Sequence, residues 1–170
     1  MNHNPLTPEP APAKNTKEQD ARNGKSEISG ARGETSESEI LDERVLTALR
    51  AASDKKALDL IALDLRSIAG FTDLFLIASG TNARQVQAIA DEVVERLKKR
   101  GTKAARVEGH KAAEWVLLDY GDFIFHIFEE KARRFYDLER LWRDAARVIL
   151  PPELAAGGGG APERSLRIES

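Results

Sequence analysis

Residues 115–128, WVLLDYGDFIFHIF, decide how this chain folds. Both halves are apolar, and Asp119, Asp122 and His126 break the pattern. A tight turn at Tyr120-Gly121 makes the stretch a β-hairpin. That turn sets Asp119 opposite Asp122, Leu118 opposite Phe123, Leu117 opposite Ile124, Val116 opposite Phe125 and Trp115 opposite His126. Opposed residues share a face, and faces alternate along each strand. One face then carries Val116, Leu118, Phe123, Phe125 and Ile127, wholly apolar and suited to a core. The other carries Trp115, Leu117, Ile124 and His126, with Asp119 and Asp122 at its tip. A hairpin with one wet face should alternate apolar and polar residues, and this one does not. Either a terminal helix covers the mixed face and Trp115 is ordinary core, or the face is a Trp-Leu-Ile partner patch with an acidic rim. Periodicity leaves both readings open.

Outward from the hairpin, the rest of a domain can be read. A helix is predicted over 38–52, with capping chemistry from Ser36, Glu39 and Ser38 and a buried face of Leu41, Val45, Ala48 and Ala52. Strands follow at 57–65 and 73–79, separated by a loop around Gly70. Gly80-Thr81 breaks the chain before a helix over 82–100, whose stripe is Val86, Ile89, Ala90, Val93 and Leu97; Gly101 marks its end. A short strand at 104–108 and the loop GHKAAE lead into the hairpin. A last helix over 131–150 would bury Leu138, Leu141, Trp142, Ala145 and Ile149, and Pro151-Pro152 would stop it. The result is an α/β fold, a mixed five-stranded sheet with about three helices. The long helix after the second strand permits a crossover. Residues 1–37, with Pro5, Pro8, Pro10 and Pro12 among charged and small residues, read as a disordered tail, and so do residues 151–170 with their run of four glycines. The folded domain is 38–150.

Composition narrows the chemistry. The chain of 170 residues has net charge −2, which is not the balance of a general nucleic-acid binder. It has no cysteine, so disulfides, thiolate metal sites and a cysteine nucleophile are excluded. No apolar run approaches the roughly 20 residues of a membrane span. The N-terminal stretch lacks a signal-peptide core, and Glu9, Glu18, Asp20 and Glu27 are unlike a transit peptide. The expectation is a cytoplasmic protein with no membrane partner. Gly80-Thr81-Asn82 lacks the spacing of a phosphate-binding loop, and Thr81 reads as a helix cap. Asp59 and Asp64, five apart on a strand, point to opposite faces and cannot share a metal. His3, His110 and His126 have no metal-ligand spacing, and His126 reads as a hydrogen-bonded neighbour of Trp115. No catalytic residues, cofactor or metal are expected. In KARRFYDLERLWRDAAR, the acids Asp137, Glu139 and Asp144 among the arginines suggest a salt-bridged surface, although some arginines could meet RNA.

Three blocks, TDLFLIASGTNARQVQAIADEV, EGHKAAEWVLLDYGDFIFHIF and ARRFYDLERLW, resemble the ribosomal silencing factor family, also called Iojap-related, in order and spacing from about residue 40 to residue 148. The resemblance implies a nucleotidyltransferase-like fold without the catalytic residues. It implies binding to the large ribosomal subunit through ribosomal protein fourteen, on the surface that meets the small subunit. Subunit joining would be blocked and translation lowered when nutrients are scarce. It also implies a partner surface at Trp115, Leu117, Asp119 and Tyr120, with Glu108 and Gly109 nearby; Asp122 and His126 belong to the same candidate face. The loop GHKAAE is where the likeness is weakest. An open apolar patch could also pair weakly with a second copy. The alternatives are a nucleotidyltransferase-like enzyme using the Gly80-Thr81 turn and an RNA-binding assembly factor using the basic last helix.

Overall fold

The computed structural model describes residues 40–155. The expected tail at 1–37, most of the one at 151–170, and the capping residues Ser36, Ser38 and Glu39 lie outside the described residues. Helix α1, Glu43–Asp54, starts later than expected and is capped by Asp42, whose carboxylate accepts from the backbone N–H of Arg44 and Val45. Its buried side includes Ala48, Ala51 and Ala52, small enough for close approach to a second helix. Strand β1, Leu58–Asp64, bulges between Leu58 and Ile61, where Asp59 takes a φ of 50°. Strand β2, Leu74–Gly80, is buried along its whole length because it is central in the sheet.

Helix α2, Ala83–Lys99, buries Val86, Ile89, Ala90, Val93 and Leu97, the predicted stripe. It ends in a Schellman motif: Thr102 N–H donates to the Leu97 carbonyl and Gly101 N–H to that of Lys98, with Gly101 at φ 89°. The chain continues through β3, Arg106–Glu108, β4, Trp115–Asp119, and β5, Phe123–Glu129. Because β5 lies parallel to β2, the segment between them is a crossover; the other strand pairs are antiparallel.

The expected last helix is replaced by short pieces. Helix α3, Glu130–Tyr136, ends at Asp137, which is left-handed at φ 49°. Helix α4, Leu138–Leu141, follows, and Ala146–Arg147 forms a sixth strand, β6, beside β1. The left-handed residue ends the 3.6-residue repeat, so Leu138 is buried whereas Leu141 and Ile149 of the expected stripe are exposed. The sheet order is β3-β4-β5-β2-β1-β6, six strands where five are expected. Packing also runs past residue 150. Helix α5, Pro152–Ala155, opens with proline at its first position and buries Leu154. No described helix is long and apolar enough to cross a membrane.

The sheet has two unlike sides. On one, α1 and α2 cover Ala62, Leu74, Leu76, Ala78, Val116, Leu118, Phe125 and Ile127 in a large apolar core. On the other, Leu63, Phe75, Ile77, Ile124 and Phe128 form a smaller cluster under the broken segment that brings Ala132, Leu138, Trp142 and Ala145.

Candidate functional site

The site follows from how the hairpin closes. Trp115 pairs with Phe128, Val116 with Ile127, Leu117 with His126, Leu118 with Phe125 and Asp119 with Ile124. This register is shifted by two residues from the expected one because the turn is Gly121-Asp122. Gly121 takes φ 89°, as the first central position of a type II′ turn requires. The Gly-X signal was present in the sequence. A slip of two leaves every side chain on its expected face, since faces alternate with period two.

Strand β4 alternates in burial: Val116 and Leu118 are fully buried, whereas Trp115, Leu117 and Asp119 are half-buried. Trp115 forms a triangle of rings with Phe128 and Tyr136, whose centroids lie 4.9 and 4.8 Å from its own and 6.5 Å from each other. Its Nε1–H donates to His126 Nδ1 at 3.1 Å. Phe135 and Tyr136, 79% and 44% exposed, extend the surface. Sequence reading missed both, because a continuous helix was expected there and they fell outside its stripe. Beside Leu117, Glu108 is exposed on β3. Asp119 accepts from Gly121 N–H at 2.9 Å and meets Arg106 at 3.4 Å. Gly109 lies against the strand itself: a Cβ there would stand 2.1 Å from the Trp115 carbonyl oxygen, and its φ is 80°. Only glycine accommodates both the contact and the conformation.

Three expected members of the face do not reach it. Tyr120 turns to the helix side, 8% exposed and stacked on Phe123 at 4.9 Å; burial pushes its phenol pKa up to about 12. Asp122 forms an ion pair with Arg44 of α1, which also bonds Asp42 and lies 5.4 Å over the Phe123 ring. That charge-assisted bond to Asp122 is the main reason the Arg44 guanidinium pKa is raised. Asp122 therefore fastens the turn to α1 instead of forming a rim. His126 is on the predicted face but only 4% exposed, below Trp115 and edge-on to Phe75 at 4.4 Å. Burial pushes its pKa down to about 3, so the ring is neutral.

The remaining candidates resolve into structural roles. Asn82, not Thr81, caps α2 by accepting from Gln85 N–H. Thr81 donates to Gln85 Oε1 from both its backbone N–H and its hydroxyl, at 2.7 and 3.0 Å. Asp64 is held by Arg66 at 2.8 Å, which lowers its pKa. The expected lattice of ion pairs on the last segment reduces, among the described residues, to Arg133 with Glu139 at 3.0 Å. Arg133 also donates to the Asp59 carbonyl and to Ser79 Oγ, pinning α3 to the bulge of β1. Among the described residues no group of three or more His, Cys, Asp or Glu could hold a metal ion.

A family model described as "Ribosomal silencing factor during starvation" matches residues 37–166. The ribosomal silencing factor of Halalkalibacterium halodurans is 42% identical over 108 residues, which cover 64% of this chain and 92% of that protein. That of Bacillus subtilis is 43% identical over 98 residues, covering 58% and 83%. The chloroplastic protein Iojap of Zea mays is 34% identical over 102 residues, covering 60% of this chain and 44% of that one. A crystal structure of a Bacillus halodurans protein matches with a TM-score of 0.58 at 40% identity, covering 64% of this chain and 98% of that one. One of a Chromobacterium violaceum protein gives 0.58 at 37% identity, covering 59% and 84%. The expected mixed α/β class holds, and the chain belongs to the ribosomal silencing factor family.

Proposed function

We propose that the chain is a non-enzymatic translational repressor of the cytoplasm that binds the large ribosomal subunit and blocks joining of the small one when nutrients are scarce. The partner on the subunit is ribosomal protein fourteen, at the intersubunit surface, with room for contact with ribosomal RNA. Family membership supports the silencing role, and the geometry suits occlusion, which needs a rigid surface and no chemistry. The observation that carries the reading is the alternation along β4. Its even-numbered residues are locked in the core, whereas Trp115 and Leu117 stay half-exposed, with Tyr136 against the Trp115 ring and Phe135 against Tyr136. A rigid aromatic anchor ringed by apolar and acidic residues is the usual composition of an interface hot spot and its rim. Trp115 and Leu117 are the anchors, with Glu108 and Asp119 as the rim. Gly109 lies against that strand, Tyr120 and Asp122 hold the turn, and His126 lies beneath Trp115. The same face offers a second copy a weak, competing contact.

Sedimentation of isolated subunits with the purified full chain tests this reading. The expected result is comigration with the large subunit and loss of whole ribosomes as protein is added. Comigration with the small subunit, or undiminished joining at saturating protein, would overturn it.

A further inference from the structure

His126 is a buried polar residue among aromatic rings, and the proposed docking does not use it directly. Its ring lies 4.4 Å from Phe75, 5.9 Å from Trp115 and 6.3 Å from Phe128, centroid to centroid. At 4% exposure it cannot be a contact for a macromolecule. Its one hydrogen bond is the acceptance of the Trp115 indole N–H at Nδ1, so the neutral ring carries its proton on Nε2. That Nε2 atom is buried with no partner among the described residues. A phenylalanine would fill such a place without an unpaired donor. The imidazole therefore costs stability, and what it supplies in return is an acceptor for one particular indole.

We infer that His126 is a positioning residue whose Nδ1 presets the rotamer of Trp115, so that the anchor of the docking face is already oriented before the partner arrives. Tilted contacts with Phe128 and Tyr136 confine the indole, and the hydrogen bond selects its direction within that confinement. A side chain ordered beforehand does not lose rotamer freedom on binding. The inference rests on the proposed role of Trp115 in docking.

The test uses the full chain and three variants. His126→Phe keeps an aromatic ring and removes the acceptor; His126→Gln restores an acceptor oxygen; Trp115→Phe keeps an aromatic ring and removes the donor. The Trp115 indole N–H resonance, assigned by its loss in Trp115→Phe, reports the bond directly. In His126→Phe that resonance should shift and broaden, and affinity for isolated large subunits should fall by about 3- to 10-fold, the scale of ordering one side chain. His126→Gln should recover part of both. In a Trp115→Phe background, His126→Phe should cost no further affinity. An unmoved indole resonance overturns the inference, as does a moved one with unchanged affinity. A full further loss in the Trp115→Phe background also overturns it, because His126 would then act by some other route. Should His126→Phe fail to fold, His126→Leu, which also lacks an acceptor, carries the same two readouts against wild type. Wild-type affinity in Trp115→Ala is a separate result that removes the docking face itself.

Discussion

The two sides of the sheet are built to different standards. Two long amphipathic helices close one side, and its central residues Ala48, Leu49, Leu76, Val86, Leu118, Phe125 and Ile127 have no measurable exposure. A segment broken at Asp137 closes the other; it buries Ile77 and Phe128 just as fully but leaves Trp115, Leu117 and Trp142 half in water. The difference teaches that the hairpin divides its labour by parity. In β4 the even-numbered Val116 and Leu118 are locked in the core, whereas the odd-numbered Trp115, Leu117 and Asp119 stay half-exposed. A thin cover suffices to keep His126 and Phe128 dry without burying the Trp115 indole above them.

The largest effect should come from crossing that division with one substitution on each side. Phe125→Ala empties a fully buried site under α2 and should destabilise by about 3–5 kcal/mol. Trp115→Ala removes a half-buried ring and should cost about 1–2 kcal/mol in denaturant unfolding, yet weaken binding to the large subunit by about 2 kcal/mol or more. Equal destabilisation by the two would show that the second side is core as well.

Gly109 offers a sharper version. A Cβ at Gly109 would collide with the Trp115 carbonyl oxygen, whereas one at Gly101 would meet nothing, although both residues have positive φ. Gly101→Ala should cost about 1 kcal/mol, the price of the conformation alone. Gly109→Ala should cost about 2–3 kcal/mol and also weaken subunit binding, because the strand carrying the anchor must move. Matching losses for the two variants in thermal unfolding would mean that the close approach is relaxed at no cost.

Much of this architecture was legible, for identifiable reasons. The faces of the hairpin were read correctly although its register was misread, because an error of two residues preserves parity. The register itself depended on whether Tyr120 or Gly121 opens the turn. Tyr120 is instead held back by stacking on Phe123, a pairing that exists only once the hairpin has formed. The break at Asp137 was illegible: the apolar spacing from Leu138 to Ile149 is helical, and only pairing of Ala146–Arg147 with β1 draws the chain into a strand. Arg44, the partner of Asp122, lies 78 residues away in sequence, and the Asp59 carbonyl that Arg133 meets lies 74 away, beyond the reach of any local pattern. His126 was correctly placed beside Trp115, but its depth depended on the cover that the broken segment provides.

That depth makes acid a probe of the thin side. The His126 pKa is about 3 in the fold, against about 6.5 in the unfolded chain. Between those values the unfolded state binds the extra proton, so stability is full above about pH 6.5 and falls as pH is lowered. The slope contributed by this one ring is at most about 1.4 kcal/mol per pH unit. Its surroundings are the aromatic rings of Phe75, Trp115 and Phe128, which offer no counter-charge. Urea unfolding at pH 7, 6 and 5 should show the decline in wild type and a flatter profile in His126→Phe. Parallel profiles would mean that water reaches the imidazole.

The smallest effect on the fold, and the cleanest on docking, should come from the rim. Asp119 is a poor place to test it, since its carboxylate also holds the turn through Gly121 N–H. Glu108 is better: it is exposed on the edge strand and, among the described residues, pairs with the exposed Arg106 alone, at 3.4 Å. An exposed pair of this kind contributes little, so Glu108→Lys should change unfolding stability by no more than about 0.5 kcal/mol. Its charge nonetheless stands beside Leu117, where an approaching basic surface would first feel it. Rim charges act mainly on the rate of encounter, and salt screens them. Stopped-flow association with large subunits at low salt should therefore be several-fold slower for Glu108→Lys than for wild type. The two rates should converge as salt is raised, with dissociation nearly unchanged. Equal rates at low salt would place the basic partner surface elsewhere, and the thin side of the sheet would then have to dock through Trp115 and Tyr136 without help from β3.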